Sequence, residues 1–471
     1  MGKPFVVGGQ SLTSDEIQPI VFPYDGQVVE QVCMAKEPHM EQAVVMALRG
    51  FETTRRLPTY KRIEILDKLR QLLQERFNQI VQLMILESGK TYKTAHAETM
   101  RAIQTTRIAA EEVGRIEGEV IDLAWTPAGA GHCGFVRRFP VGVILGITPF
   151  NYPLNLALHK LAPAIASGNA IIIKPPEVAP LSSLLLAELV LEAGFPPEAF
   201  SLLPAPGPRA EKLVIDDRIA MVSFTGSAAV GWAIKNKSGR KRVTLELGGN
   251  APVIVHYDAD LDLAIQKTVA GSFTNAGQNC IAVQRILVHS KIYDEFCERF
   301  VAATKQLKVG DPRDPETDIG PMINDTAAKR AFAWVQEAIA QGAVPLLLGD
   351  LEGALYGPTV LTNVQPQMKV CAQEIFAPVV TIVSYETWDE AIDIANDSEY
   401  GLQGGIFTHD IRLIMDAWER LEVGGLQIND VSTFRVDHMP YGGVKASGFG
   451  REGVRYAIQE MTELRQLVIN I

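Results

Sequence analysis

The sequence predicts an α/β protein with mainly parallel sheets, built as two domains. Three observations carry this. The chain has 471 residues, several times the ~100 residues a single core needs. Short apolar runs alternate with stretches of helical period, the pattern of βαβ units. That alternation restarts after residue 246, with no internal repeat and no Ser/Gly linker at the joint. Hydrophobic residues make up 47% and charged residues 21%, a balance that excludes disorder for the bulk of the chain.

The elements follow in order. Residues 60–87 carry Ile63, Leu66, Leu69, Leu73, Phe77 and Ile80, a period near 3.6 that predicts one amphipathic helix. Residues 97–112 predict another. Residues 142–147 and 170–174 read as short buried strands, with a helix over 156–166 between them. Residues 181–193 predict a helix and 220–224 a strand. After residue 246, strands are expected at 253–255 and 284–288, and helices at 261–273, 293–306 and 326–341. Residues 114–139 lack helical period and form an excursion from the first domain. The alternating C-terminus, 462–471, reads as an edge strand, and pairing within an oligomer would cover it.

Composition excludes several functions. Lys and Arg total 44 against 55 Asp and Glu, a net charge of −11, with no basic run; nucleic acid is not an expected partner. The most apolar stretch, 141–173, is broken by Pro149, Asn151, Pro153, His159, Lys160, Pro163 and Asn169, so no membrane span is expected. The five cysteines contain no C-x-x-C pair. Neither a disulfide scaffold nor a metal site is expected, and a reducing compartment fits best. The opening residues Met1 to Phe5 lack a signal-peptide core, which points to the cytoplasm.

Candidate chemistry sits at strand ends. Gly129 to Gly134 satisfies the letters G-x-G-x-x-G, but no strand precedes it and no helix follows, so it reads as a turn. Gly226 and Ser227 follow the strand at 220–224 and open a helix, where a phosphate can meet the helical amides; the plain alternative is a Ser-capped helix start. Lys174 and Glu177 follow the strand at 170–174, placed to reach ribose hydroxyls, or else are charges on a solvated loop. Cys280 follows a Gly-containing turn, with its thiol exposed and its amide free. Cys33 and Cys371 read instead as inert small hydrophobes. Glu246 is a carboxylate in an apolar stretch, where burial raises its pKa toward that of a useful base. Asn151 is an amide donor between Pro149 and Pro153. His159 reads as a satisfied core histidine.

Taken together, Pro149-Phe-Asn-Tyr-Pro153, Lys174-Pro-Pro-Glu177, Phe224-Thr-Gly-Ser227, Leu245-Glu-Leu-Gly-Gly-Asn250, Gly277-Gln-Asn-Cys280 and Glu374-Ile-Phe-Ala-Pro378 resemble the aldehyde dehydrogenase superfamily, over nearly the whole chain. The 34 residues from Glu246 to Cys280 also resemble that family's spacing. The resemblance implies two Rossmann-like α/β domains, NAD-binding over 1–113 and 140–245 and catalytic over 246–451. It further implies a small β element from 114–139 and 452–471 that bridges and oligomerises the chain as a homodimer or homotetramer. It casts Cys280 as the nucleophile that forms a thiohemiacetal and then a thioester. Asn151 and the Cys280 amide become the oxyanion donors, and Glu246 the water-activating base. Lys174 and Glu177 would hold the adenosine ribose, Gly226 and Ser227 the pyrophosphate, and Glu374 and Phe376 the nicotinamide ribose and ring.

The Glu177 carboxylate favours NAD over NADP, because it repels a 2′-phosphate; Lys174 partly offsets that and leaves NADP as the weaker cofactor. Arg435, with Arg101 and Arg107 on the helix beside the funnel, would meet a small polar aldehyde such as lactaldehyde or succinate semialdehyde. An interdomain salt bridge is the competing role for Arg435. The alternatives to a hydrolytic dehydrogenase are a CoA-acylating dehydrogenase, against which Glu246 argues, and a catalytically silent binding protein on the same fold.

Overall fold

The computed structural model describes residues 2–471. Its first sheet has eight strands, in the spatial order Gln10–Leu12, Phe5–Val7, Phe200–Leu202, Ala170–Lys174, Val143–Ile147, Met221–Thr225, Arg242–Glu246, Gly448–Phe449. The five strands from Phe200–Leu202 to Arg242–Glu246 are parallel, with antiparallel strands at both flanks. Chain order runs outward from Val143–Ile147 on one side and returns on its other side at Met221–Thr225. That reversal opens a crevice beyond the carboxyl ends of these two strands. The helix Asn155–Ser167 packs beside them with all its residues buried, Lys160 among them.

The second sheet has seven strands, in the order Val344–Leu347, Thr359–Thr362, Val379–Tyr385, Val283–His289, Ala251–Val255, Gln403–Phe407, Gly425–Ile428. All neighbours are parallel except the first pair. Each sheet has its own hydrophobic core. The chain leaves the first sheet at Glu246 and enters the second at Ala251. Carboxyl ends of one sheet therefore face amino ends of the other, and the motif residues gather at that seam.

The excursion forms strands Glu119–Asp122 and His132–Pro140, and the latter pairs with Thr462–Asn470 over nine residues. The C-terminal strand thus finds its partner within the chain, while its outer edge stays exposed with Leu464, Leu467 and Val468. Of the segment 452–471, only this strand joins the ribbon. Val454, Ile458 and Met461 pack instead in the core of the first sheet. The single helix expected over 60–87 is two, Thr59–Glu75 and Phe77–Ser88. The exposed run Gln74-Glu75-Arg76 interrupts the buried stripe, and the chain turns there. The G-x-G-x-x-G stretch lies in a single 3₁₀ turn and the strand after it.

Candidate active site

A cavity of about 270 Å³ at the seam is lined by Asn151, Glu246, Cys280, Glu374, Phe376, Arg101 and Arg435, among others. Cys280 follows the turn Thr274–Gly277, in which Asn275, Ala276 and Gly277 are left-handed in succession. A Cβ on Gly277 would lie 2.0 Å from the Ala377 carbonyl oxygen. Asn275 supports its own strained backbone: its Nδ2 donates to the carbonyls of Gln278 (3.2 Å) and Asn151 (3.4 Å). The buried Lys90 ammonium donates to the Asn151 carbonyl (2.6 Å) and to Asn275 Oδ1 (3.4 Å), and pairs with Glu98 at 3.2 Å. These bonds tie the Asn151 loop to the Cys280 loop. Asn151 Nδ2 spends one N–H on the Gln278 carbonyl (3.1 Å), leaving the other for an acceptor in the cavity. Among the described residues no hydrogen bond takes up the Cys280 amide. Burial pushes the Cys280 thiol up to about 12, and its nearest polar neighbour is the Tyr441 hydroxyl at 3.2 Å.

Glu246 ends its strand buried, and among the described residues neither carboxyl oxygen finds a hydrogen-bond partner. Burial first, and the charge of Glu452 second, hold it well above the usual carboxylate range. A buried carboxyl kept without partners is a mark of a working group. Glu374 Oε1 accepts from the Gly249 amide at 3.0 Å, and burial pushes its carboxyl up to about 7. A Cβ on Gly248 would come within 2.3 Å of Glu374 Oε2, so glycine is what admits this side chain. Phe376 is left-handed, and its ring meets Phe150 edge-on at 6.0 Å.

Lys174, Glu177, Gly226 and Ser227 line a second groove, of about 770 Å³, that shares Pro149, Phe150 and residues 225–227 with the first cavity. Lys174 Nζ lies 3.3 Å from Glu177 Oε1, which also accepts from the Gly207 amide at 2.8 Å. Burial lowers the Lys174 pKa, with Glu177 opposing. Ser227 caps the helix Ala228–Lys237 without bonding it through its side chain, so its hydroxyl is uncommitted. The groove offers a carboxylate, a helix N-terminus and an apolar floor including Val230 and Ile234, and it runs into the Cys280 cavity. A dinucleotide fits that sequence of surfaces.

Behind the cavity lies a buried charge cluster. Lys160 Nζ donates to Glu452 Oε1 (2.8 Å) and Thr225 Oγ1 (2.7 Å). Arg435 pairs with Glu452 at 3.4 Å, and its guanidinium carbon stands 3.6 Å from the centre of the Tyr441 ring. Arg101 Nη2 donates to Asp437 Oδ1 (2.7 Å), which His159 Nε2 also meets at 2.9 Å. Burial and Arg435 lower the His159 pKa, which favours the neutral ring. His159 is therefore core, as expected, but not fully satisfied: Nε2 is bonded into this cluster while Nδ1 is buried without a partner among the described residues. Arg107 is a correction: it lies outside the cavity, exposed and 3.6 Å from Glu111. Six residues at about 100° each turn it some 120° from Arg101 on the same helix.

Sequence reasoning missed Tyr441, Glu452, Lys160, Lys90 and Arg330, the last of which lines the cavity and donates through Nη2 to the Ile375 carbonyl at 2.8 Å. A charge inside an apolar helix was a usable signal for Lys160. Nothing local marks Glu452, whose role comes from tertiary packing alone.

The model of the aldehyde dehydrogenase family matches residues 11–467. A 3-sulfolactaldehyde dehydrogenase of Priestia aryabhattai is 44% identical over 466 residues, covering 99% of this chain and 97% of its own. Aldehyde dehydrogenase 21 from Physcomitrella patens, solved with its reaction product succinate, superimposes with a TM-score of 0.97 at 40% identity, covering 99% of this chain and 98% of its own. A glyceraldehyde-3-phosphate dehydrogenase from Methanocaldococcus jannaschii, solved with NADP, gives 0.94 at 39% identity, covering 97% and 100%.

Proposed function

Because the chain belongs to the aldehyde dehydrogenase family and is a nicotinamide-dependent aldehyde oxidoreductase, we propose that it oxidises a small aldehyde bearing an anionic group to the carboxylic acid through Cys280. The observation that carries this is the convergence of Cys280, Asn151 and Glu246 from three separate segments on one cavity. The Cys280 thiolate adds to the carbonyl carbon to give a thiohemiacetal. Its oxyanion accepts hydrogen bonds from Asn151 Nδ2 and the Cys280 amide, donors worth about 3–4 kcal/mol each. When bound, the nicotinamide supplies the acceptor for the hydride that leaves this carbon, and a thioester remains on Cys280. Glu246, basic through burial, takes a proton from water as the water attacks the thioester carbon. The acid leaves and Cys280 is regenerated.

Lys174 and Glu177 would hold the adenosine ribose, Ser227 and Gly226 the pyrophosphate, and Glu374 and Phe376 the nicotinamide ribose and ring. Among the described residues one Glu177 oxygen makes no hydrogen bond, which supports NAD over NADP as the preferred cofactor. The charge cluster supports an anionic substrate. Three cations, Arg101, Arg435 and Lys160, face two carboxylates, Asp437 and Glu452, while Glu246 is held toward neutrality. Arg435 Nε is also buried without a partner. While Glu246 holds its proton, one positive charge and one donor are thus left for a ligand. The Physcomitrella relative's succinate and the Priestia relative's sulfolactaldehyde carry such an anion. The ribbon edge at Thr462–Asn470 supports assembly as a homodimer or homotetramer.

The test is NADH formation with a panel of aldehydes, with and without CoA. Anionic short-chain aldehydes should give the highest kcat/KM without CoA, and Cys280→Ser should be inactive while still binding NAD. Strict dependence on CoA, or an active Cys280→Ser, would overturn the proposal.

A further inference from the structure

The hydroxyl closest to the Cys280 sulfur belongs to a residue with no role so far. Tyr441 Oη lies 3.2 Å from Sγ, against 3.8 Å for Asn279 Oδ1. Tyr441 is 3% exposed, and among the described residues its hydroxyl makes no other hydrogen bond. Its position is fixed from two sides. Its backbone exchanges hydrogen bonds with Glu452, at 3.0 and 2.7 Å, and the Arg435 guanidinium lies over its ring. A phenylalanine would fill the same volume, so packing alone does not require the oxygen.

We propose that the Tyr441 hydroxyl donates a hydrogen bond that stabilises Cys280 as thiolate, and that Arg435, stacked on the ring, strengthens that donor. The inference rests on Cys280 being the nucleophile. A thiolate in this cavity is disfavoured by burial and by the nearby carboxyls of Glu374 and Glu246; Tyr441 and Arg435 favour it. Of those two, Tyr441 touches the sulfur. Cys280, Arg435 and Glu246 in turn face the phenol. Burial holds the phenol far above its ordinary pKa, so it keeps its proton throughout the working range and can donate it to the thiolate. The thiol proton itself leaves to solvent. A cation on the ring face draws density from the phenol and makes its O–H a stronger donor. The same bond would stabilise Cys280 as leaving group when the thioester is hydrolysed.

The experiment is alkylation of Cys280 by iodoacetamide as a function of pH, without cofactor or aldehyde, with the labelled site read by mass spectrometry. A hydrogen bond to a charged group predicts that Tyr441→Phe slows alkylation roughly ten- to hundredfold at fixed pH, displacing the rate–pH curve by about 1–2 units to higher pH. Replacing Tyr441 by 3-fluorotyrosine, a more acidic phenol of nearly the same shape, should displace the curve the other way. That arm decides the matter if Tyr441→Phe fails to fold. A curve unmoved by either change, with Cys280→Ser inactive, would overturn this inference alone. An active Cys280→Ser would remove the proposed function and this inference together.

Discussion

Arg435→Met tests the substrate class because the structure isolates the charge being removed. Glu452 keeps Lys160 at 2.8 Å and Asp437 keeps Arg101 at 2.7 Å, so neither buried carboxylate is orphaned and the fold should hold. The variant instead balances the cluster, two cations against two carboxylates, and leaves nothing for a substrate anion. Arg435 is 7% exposed in its side chain, so solvent does not screen the lost interaction. A charge-assisted bond of about 1.5–3 kcal/mol converts to roughly a 10- to 150-fold loss in kcat/KM. The assay compares succinate semialdehyde with butanal, equal in chain length but lacking the carboxylate. Any effect of Arg435 on Cys280 through Tyr441 falls on both substrates, so the ratio of the two losses is the informative quantity. Succinate semialdehyde should lose roughly 10 to 150 times more than butanal, mainly through KM. Equal losses would refute the charge argument and leave Arg435 as a structural residue.

Glu246→Gln should still permit hydride transfer but stall at the thioester, giving a burst of about one NADH per site in stopped flow and then near-silence; unimpaired turnover would remove Glu246 as base. Turnover should also depend on pH through this carboxyl. Its folded pKa is raised, so it is protonated and inactive as base at low pH, and deacylation should climb as pH rises through a value above the usual carboxylate range; a deacylation rate flat from pH 5 to 9 would contradict this. Glu177→Ser should raise kcat/KM with NADP relative to NAD, since a like charge beside the 2′-phosphate is removed; a wild-type preference for NADP would defeat the argument. Lys160→Met should destabilise the fold, but by less than the about 3–5 kcal/mol of a fully orphaned buried charge, because Glu452 loses its shorter ion pair yet keeps Arg435 at 3.4 Å; an unchanged melting temperature would show that Arg435 alone suffices.

The motif residues were legible because six short motifs resemble one family in order, and because the structure puts several of them at strand ends. Lys174, Gly226 and Glu246 each stand where a short apolar run gives way to Gly, Pro or a charge, and parallel sheets collect such ends on one side. The residues behind them were not legible. Glu452 and Tyr441 reach the site because a two-residue strand, Gly448–Phe449, returns to the first sheet, and no local pattern announces so short a pairing. Arg107 failed for a related reason: helical period tells which residues share a face, but tertiary packing decides which face meets the cavity. The break at Arg76 lacks Gly and Pro, the usual signs of a turn.

The split of the site between two cores bears on how the protein loses activity when heated. Glu246 ends a strand of the first sheet and Asn151 follows another, whereas Cys280 precedes a strand of the second, and the two apolar clusters are separate. A small separation of the sheets scatters the three groups without exposing either core. Thermal inactivation should therefore precede the main calorimetric transition, and dinucleotide lodged across the seam should narrow the gap between them.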